Sequence, residues 1–193
     1  LGVASPHVID MAAAYATFAA NGVYAKPYLI SQVTGPEGNL LYQSSVSTNQ
    51  AFSSDVMSDL DLALQQVTAY GTGTAAAVGL NRPVAGKTGT TTDNASAWFN
   101  GYVPQLATSV AFFRDDATQT LNGIGGLNSV TGGSFPARIW NLYNRTALAD
   151  EPVEQFPAPA HIGGSDPVDF TSVIPTLDPS LAVTASPSSK PIP

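Results

Sequence analysis

The sequence predicts an α+β fold, an antiparallel sheet flanked by helices. Three observations carry that expectation. Two stretches with helical spacing of apolar residues are separated by a hairpin signal rather than by a single strand. Three strand-like runs then follow one another with no helix between them, at Val84 to Thr91, Ala97 to Val103 and Ala107 to Arg114. A last helical stretch comes after them, so the order is helix, hairpin, helix, three strands, helix rather than alternating βαβ units.

Each element has a local reason. Ser5-Pro6 offers a hydroxyl cap and a proline suited to a first helical turn, Val8, Met11, Ala12, Tyr15 and Phe18 recur at helical spacing, and Asn21-Gly22 ends the run. "VYAKPYLISQV" and "NLLYQSS" flank Gly35-Pro36-Glu37-Gly38, which predicts a hairpin. Ser53 or Ser54 caps the second helix, with Val56, Leu60, Leu64 and Val67 on one face and Gly71 at its end. Beyond the strands, the glycine-rich "LNGIGGLNSVTGG" leads to "SFPARIWNLYNRTALA", where Ser134 is a candidate cap and Ile139, Leu142 and Tyr143 form an apolar stripe.

Composition divides the chain into a body, 1–149, and a proline-rich, acidic C-terminal tail, 150–193, without helical or strand periodicity. Apolar residues such as Phe156, Phe170, Ile174 and Leu177 are available to pin that tail to the body. The 193 residues are 44% hydrophobic, enough for one core, and only 11% charged. A net charge of -7 leaves no basic stripe, which excludes nucleic acid as a partner. Cysteine is absent, so neither a disulfide framework nor a thiolate metal site is available, and no cofactor is indicated. No apolar run approaches membrane-spanning length. The chain opens on "LGVAS" without Met and enters a helix at once, which predicts a piece of a longer polypeptide.

"VAGKTGTTTDNASAWFNGY" poses the functional question, because Gly-Lys-Thr serves two unrelated chemistries. A phosphate loop needs a glycine five positions before Gly86, where Asn81 stands, and its lysine must open a helix. Lys87 is instead followed by Thr-Gly-Thr-Thr-Thr, whose β-branched side chains favour a strand. Both tests go against the nucleotide-binding reading. Lys87-Thr88-Gly89 on a strand matches the third element of serine β-lactamases and penicillin-binding proteins. A substrate ending in a carboxylate needs a cation and hydroxyl donors to orient it, and a glycine admits its backbone. Strict alternation puts Thr88 and Thr90 on one face and Lys87 on the other. Both faces can serve one cleft only if this is an edge strand.

"SPHVIDMAAAYATFAANGVYAKPYLI", "TAYGTGTAAAV" and "RPVAGKTGTTTDNASAWFNGYVPQLATSVAFF" occur in that order. Together they resemble the C-terminal half of the transpeptidase domain of class A (bifunctional) penicillin-binding proteins, over about residues 1–148. The resemblance implies an antiparallel sheet flanked by helices, incomplete in this chain. It also implies a D,D-transpeptidase that cross-links peptidoglycan stem peptides through a serine acyl-enzyme, is acylated by β-lactams, and works on the extracytoplasmic face of the bacterial cell membrane. By resemblance Lys87 is catalytic and helps hold the substrate carboxylate. Thr88 and Thr90 bind that carboxylate, the Thr90 N–H forms half of the oxyanion hole, and Gly89 keeps the strand open. Trp98, Phe99 and Tyr102 are packing residues of the next strand. Ser96 departs from the acidic residue many relatives carry before Ala-Trp-Phe, a change confined to a local hydrogen bond.

The nucleophile is missing. The lysines at 26, 87 and 190 follow Val23, Val84 and Pro187 by three places, so no S-x-x-K exists in the 193 residues. Ser47-Thr48-Asn49 fits S-x-N but lies after the first helix, whereas the family places that motif before it; a surface turn is expected there. His7 and His161 are expected in capping or surface roles. A partner chain carrying the N-terminal half, with S-x-x-K and S-x-N, is therefore expected to cover the exposed parts of the third strand and the last helix. The competing reading is a non-catalytic β-lactam or peptide-binding module, a sensor or degenerate relative; S-x-x-K on the companion segment separates the two.

Overall fold

The computed structural model describes residues 5–116 and 118–163. Phe170, Ile174 and Leu177 lie outside the described residues. The order of elements is α1 (Val8–Ala19), β1 (Val23–Ala25), β2 (Gln32–Thr34), β3 (Leu40–Gln43), β4 (Thr48–Gln50), α2 (Ser54–Ala69), α3 (Thr74–Ala77), β5 (Ala85–Thr90), β6 (Ser96–Val103), β7 (Leu106–Phe113) and α4 (Phe135–Ala147). This is the expected α+β arrangement.

The central sheet is antiparallel in the order β5-β6-β7. One face meets α1 and α2, where Tyr15, Met11 and Leu64 pack on Ala85 and Tyr102. The other meets α3 and α4, where Ala76, Ala137 and Trp140 pack on Phe99 and Val103. Phe99 and Trp140 meet edge to face, with ring centroids 5.5 Å apart.

Several local expectations change. Helix α1 starts at Val8 with His7 in the cap position and no side-chain cap, so Ser5-Pro6 lies before the helix instead of opening it. Ser53 does cap α2, accepting the Val56 N–H, but Val56 is exposed and the buried face runs through Met57, Ser58, Asp61 and Thr68. That face carries polar groups because each has a partner: the Thr68 hydroxyl donates to the Val84 carbonyl, and Asp61 Oδ1 accepts from the Tyr102 hydroxyl at 2.5 Å. Helix α3 was not anticipated; four residues are too few for a periodic signal.

The hairpin forms at β2 and β3, where Gly38 N–H returns to the Gly35 carbonyl at 3.0 Å and Gly38 takes φ +80°. The flanking segments also form a second pair, β1 with β4. Thr48 and Asn49 thus belong to an exposed strand, not to a surface turn, because their backbone pairs with Ala25 and Tyr24.

Helix α4 inverts its expected face. Ile139, Leu142 and Tyr143 are exposed, whereas Ala137, Trp140, Asn141 and Asn144 are buried. The asparagines are tolerated inside because Asn141 Nδ2 donates to the Ala76 and Val78 carbonyls at 2.8 and 3.0 Å, and Asn144 Nδ2 to the Trp140 carbonyl at 2.8 Å and Thr108 Oγ1 at 3.2 Å. Trp140 Nε1 reaches the Gly101 and Thr108 carbonyls.

The first part of the proline-rich segment lies against the body. Phe156 meets the Tyr102 ring edge to face at 5.5 Å, and Arg82 donates to the carbonyls of Leu148, Glu151 and Pro152. Farther along, Ser58 Oγ accepts the Ala160 N–H, while the two Asp59 oxygens accept those of His161 and Ile162 at 2.7 and 2.8 Å.

Candidate active site

Strand β5 contains Lys87, Thr88, Gly89 and Thr90 and is one edge of the sheet. Lys87 sits in the middle of the strand and opens no helix, so it has none of the geometry of a phosphate loop. Register fixes the faces. Thr88 pairs with Phe99 and Thr90 with Ala97, on the α4 side; Lys87 pairs with Asn100 and Gly89 with Trp98, on the other. Lys87 is exposed, and its Nζ lies along the strand, donating to the Thr88 carbonyl at 3.1 Å.

The α4-side face of this edge opens into a hollow of about 480 Å³ lined by Thr72, Thr88, Thr90, Thr131, Gly133, Ser134 and Arg138. Two elements that sequence reasoning did not assign to the site build its walls. Thr72, at the turn between α2 and α3, places its Oγ1 2.6 Å from Thr88 Oγ1. The loop before α4 closes the other side, where Gly132 N–H donates to Thr90 Oγ1 at 3.1 Å. A hydroxyl has one proton and two lone pairs, so Thr90, accepting from Gly132, keeps its proton to donate outward.

Glycines make this closure feasible. A Cβ on Gly132 would stand 2.2 Å from the Trp98 carbonyl oxygen and 2.8 Å from both Gly89 N and Gly89 O. A Cβ on Gly133 would stand 2.3 Å from the Thr72 carbonyl oxygen. The loop therefore rests directly on the bare peptide between Thr88 and Thr90. The signal that could have found it is the glycine pair just before a helix. Ser134 holds the loop's shape, its Oγ accepting the Thr131 N–H at 3.0 Å and donating to the Thr131 carbonyl at 2.7 Å, instead of capping α4.

On the Lys87 face, Asn100 is buried and accepts from the Ser109 hydroxyl. Phe99 and Tyr102 are fully buried, whereas Trp98 is half-buried beside Gly89 and its Nε1 donates to Ser96 Oγ at 3.3 Å. Trp98 is thus a wall of this face and not a core residue. His7 and His161 take no part in the hollow.

Comparison with known proteins identifies the family and the fold. The family model for the penicillin binding protein transpeptidase domain matches residues 7–120. Penicillin-binding protein 1A of Mycolicibacterium smegmatis is 36% identical over 171 residues, covering 85% of this chain and 21% of the relative. The structure of the penicillin-binding protein PonA1 from Mycobacterium tuberculosis matches with a TM-score of 0.72 at 31% identity, over 84% of this chain and 44% of that one. The same protein in complex with penicillin V matches with a TM-score of 0.71 at 32% identity, over 79% and 41%. The chain spans about a fifth of the length of the curated relatives it matches.

Proposed function

This chain belongs to the penicillin binding protein transpeptidase domain family, and on that premise we propose that it supplies the substrate-binding edge strand of a serine D,D-transpeptidase. The reaction joins peptidoglycan stem peptides. A serine oxygen attacks the carbonyl of the penultimate D-alanine and releases the terminal one; an amine of a neighbouring stem then takes the acyl group. A β-lactam acylates the same serine.

One observation carries the reading: two threonine hydroxyls project side by side from a sheet edge into a hollow. In this assignment Thr88 and Thr90 hold the terminal carboxylate. The Thr90 N–H stabilises the tetrahedral oxyanion, for which a fixed donor is worth about 100-fold or more in rate. Lys87, exposed on the opposite face, is the cation that reaches the catalytic groups. The serine and its general-base lysine belong to a segment outside these 193 residues, which contain no S-x-x-K. That segment has surfaces to cover: β7 is the other edge of the described sheet and is only partly buried, and α4 exposes Ile139, Leu142 and Tyr143. Its place is the extracytoplasmic face of the membrane, where stem peptides are; among the described residues no helix is long and apolar enough to cross a membrane.

The test is labelling by fluorescent penicillin of the polypeptide, or pair of polypeptides, that unites this chain with the serine segment. Label should reside on the S-x-x-K segment after denaturing separation or peptide mapping. Lys87→Ala should slow labelling by about 100-fold or more without lowering the melting temperature. Label mapping to residues 1–193, or an unchanged rate in Lys87→Ala, defeats the assignment. A non-catalytic binding module would show reversible β-lactam binding and no covalent label.

A further inference from the structure

The hydroxyls that would receive a carboxylate are neutral, and the lysine of the same strand leaves that strand on the opposite face, its ammonium engaged at the Thr88 carbonyl. Lys87 pairs with Asn100, whereas Thr88 and Thr90 share the α4 side with Phe99 and Ala97. Among the residues lining the hollow, Arg138 alone carries a charge. We propose that Arg138 is the cation that pairs with the ligand's carboxylate at Thr88 and Thr90, and so sets the site's requirement for an anionic end group. This rests on the carboxylate-binding reading of that strand.

The start of α4 does not supply the charge by itself. Pro136 has no N–H, the Ala137 N–H is taken by the Gly132 carbonyl, and the Arg138 N–H by that of Ser134. The donors of Ala137 and Arg138 are thus committed within the loop and helix, and the guanidinium is the charged group left to face an anion. Arg138 is exposed and follows the loop that seats on Thr90. A guanidinium matches a carboxylate with two parallel N–H···O bonds, and Thr88 and Thr90 supply further donors. The division of labour is then plain: Arg138 reads charge, the threonines fix orientation, and Lys87, lying along the strand, serves the catalytic groups.

Acylation by penicillin V and by its uncharged methyl ester, of the polypeptide or pair of polypeptides that unites this chain with the serine segment, tests this. Arg138→Ala and Arg138→Gln should slow acylation by penicillin V roughly 10- to 100-fold and change that by the ester less than about twofold. Arg138→Lys should recover part of the rate, as a point charge without the fork. Added salt should slow the wild-type reaction with penicillin V and leave the alanine variant flat. Wild-type rates in Arg138→Ala overturn the proposal, as does equal slowing with both probes, the mark of a merely structural role. If no form is acylated, the transpeptidase reading fails, and Arg138 is judged by titrating N-acetyl-D-Ala-D-Ala against the amide resonances of Thr88 and Thr90. Shifts lost in Arg138→Ala support the pairing; equal shifts refute it.

Discussion

Replacing Gly132 by alanine should dismantle the site from a residue that carries no side chain. The new Cβ would lie 2.2 Å from the Trp98 carbonyl oxygen and 2.8 Å from two backbone atoms of Gly89. Ordinary contact is ~3.5 Å, so the deficit is about an ångström. All three crowded atoms are backbone of the paired strands β5 and β6 and cannot rotate away, so the loop must lift. Overpacking of this kind costs about 1–3 kcal/mol. Lifting also breaks the 3.1 Å bond from Gly132 N–H to Thr90 Oγ1, worth about 1 kcal/mol. The sum is roughly 2–4 kcal/mol, or on the order of 5–15 °C in melting temperature for a domain of this size. The functional loss should be larger in proportion, because a misplacement of about 1 Å can cost about 100-fold in rate. Thermal melts and the time course of fluorescent penicillin labelling, on the polypeptide that includes the serine, read both quantities. Wild-type melting would refute the steric argument. A depressed melting temperature with a wild-type labelling rate would show that this loop does not shape the site.

Two further outcomes follow from buried and clasped carboxylates. Burial raises the Asp61 carboxyl above its ordinary pKa, and the Tyr102 hydroxyl bond opposes that rise; a raised acid favours folding below its unfolded pKa near 3.9 and loses that contribution as pH climbs through the folded value. Tyr102→Phe removes the bond, so it should destabilise by roughly 1–3 kcal/mol, and because that bond favours the carboxylate the penalty should grow as pH rises through the raised pKa, as urea unfolding across a pH series would reveal. A penalty independent of pH, or larger in acid, counts against the pairing. Asp59 is the opposite case: the His161 amide bond first, with that of Ile162, holds its carboxyl below the usual range. Its clasp is present above the ordinary carboxylate pKa and is lost as pH falls through the lowered folded value. Asp59→Ala should accelerate amide exchange at His161 and Ile162 at pH 7 without altering exchange in β6; unchanged exchange at both amides would disprove the clasp.

Much of the architecture is legible in the residues because it depends on local patterns. β-Branched and aromatic runs between turn signals delimit the three strands to within one residue at every end, and Gly35-Pro36-Glu37-Gly38 encodes its hairpin. The lysine, glycine and threonines of β5 are readable for the same reason, since their spacing in one strand determines which of them share a face. Hydropathy failed where polar residues do the packing. On α4 the apolar triplet Ile139, Leu142 and Tyr143 is outside and Asn141 and Asn144 are inside; the carbonyls that satisfy them belong to α3, β7 and the preceding turn of α4 itself.

Local pattern is enough to read the main helices, the hairpin and the three strands in order, the family, and the alternation that separates Lys87 from Thr88 and Thr90. Long-range packing puts β5 at the sheet edge, brings Thr72 and the Gly132-Gly133 loop to its hydroxyls, and sets Arg138 in their hollow. The physical reason is range: alternation follows from backbone geometry over a few residues, whereas these contacts join positions 16 to 42 residues apart, and only the packed fold brings them together.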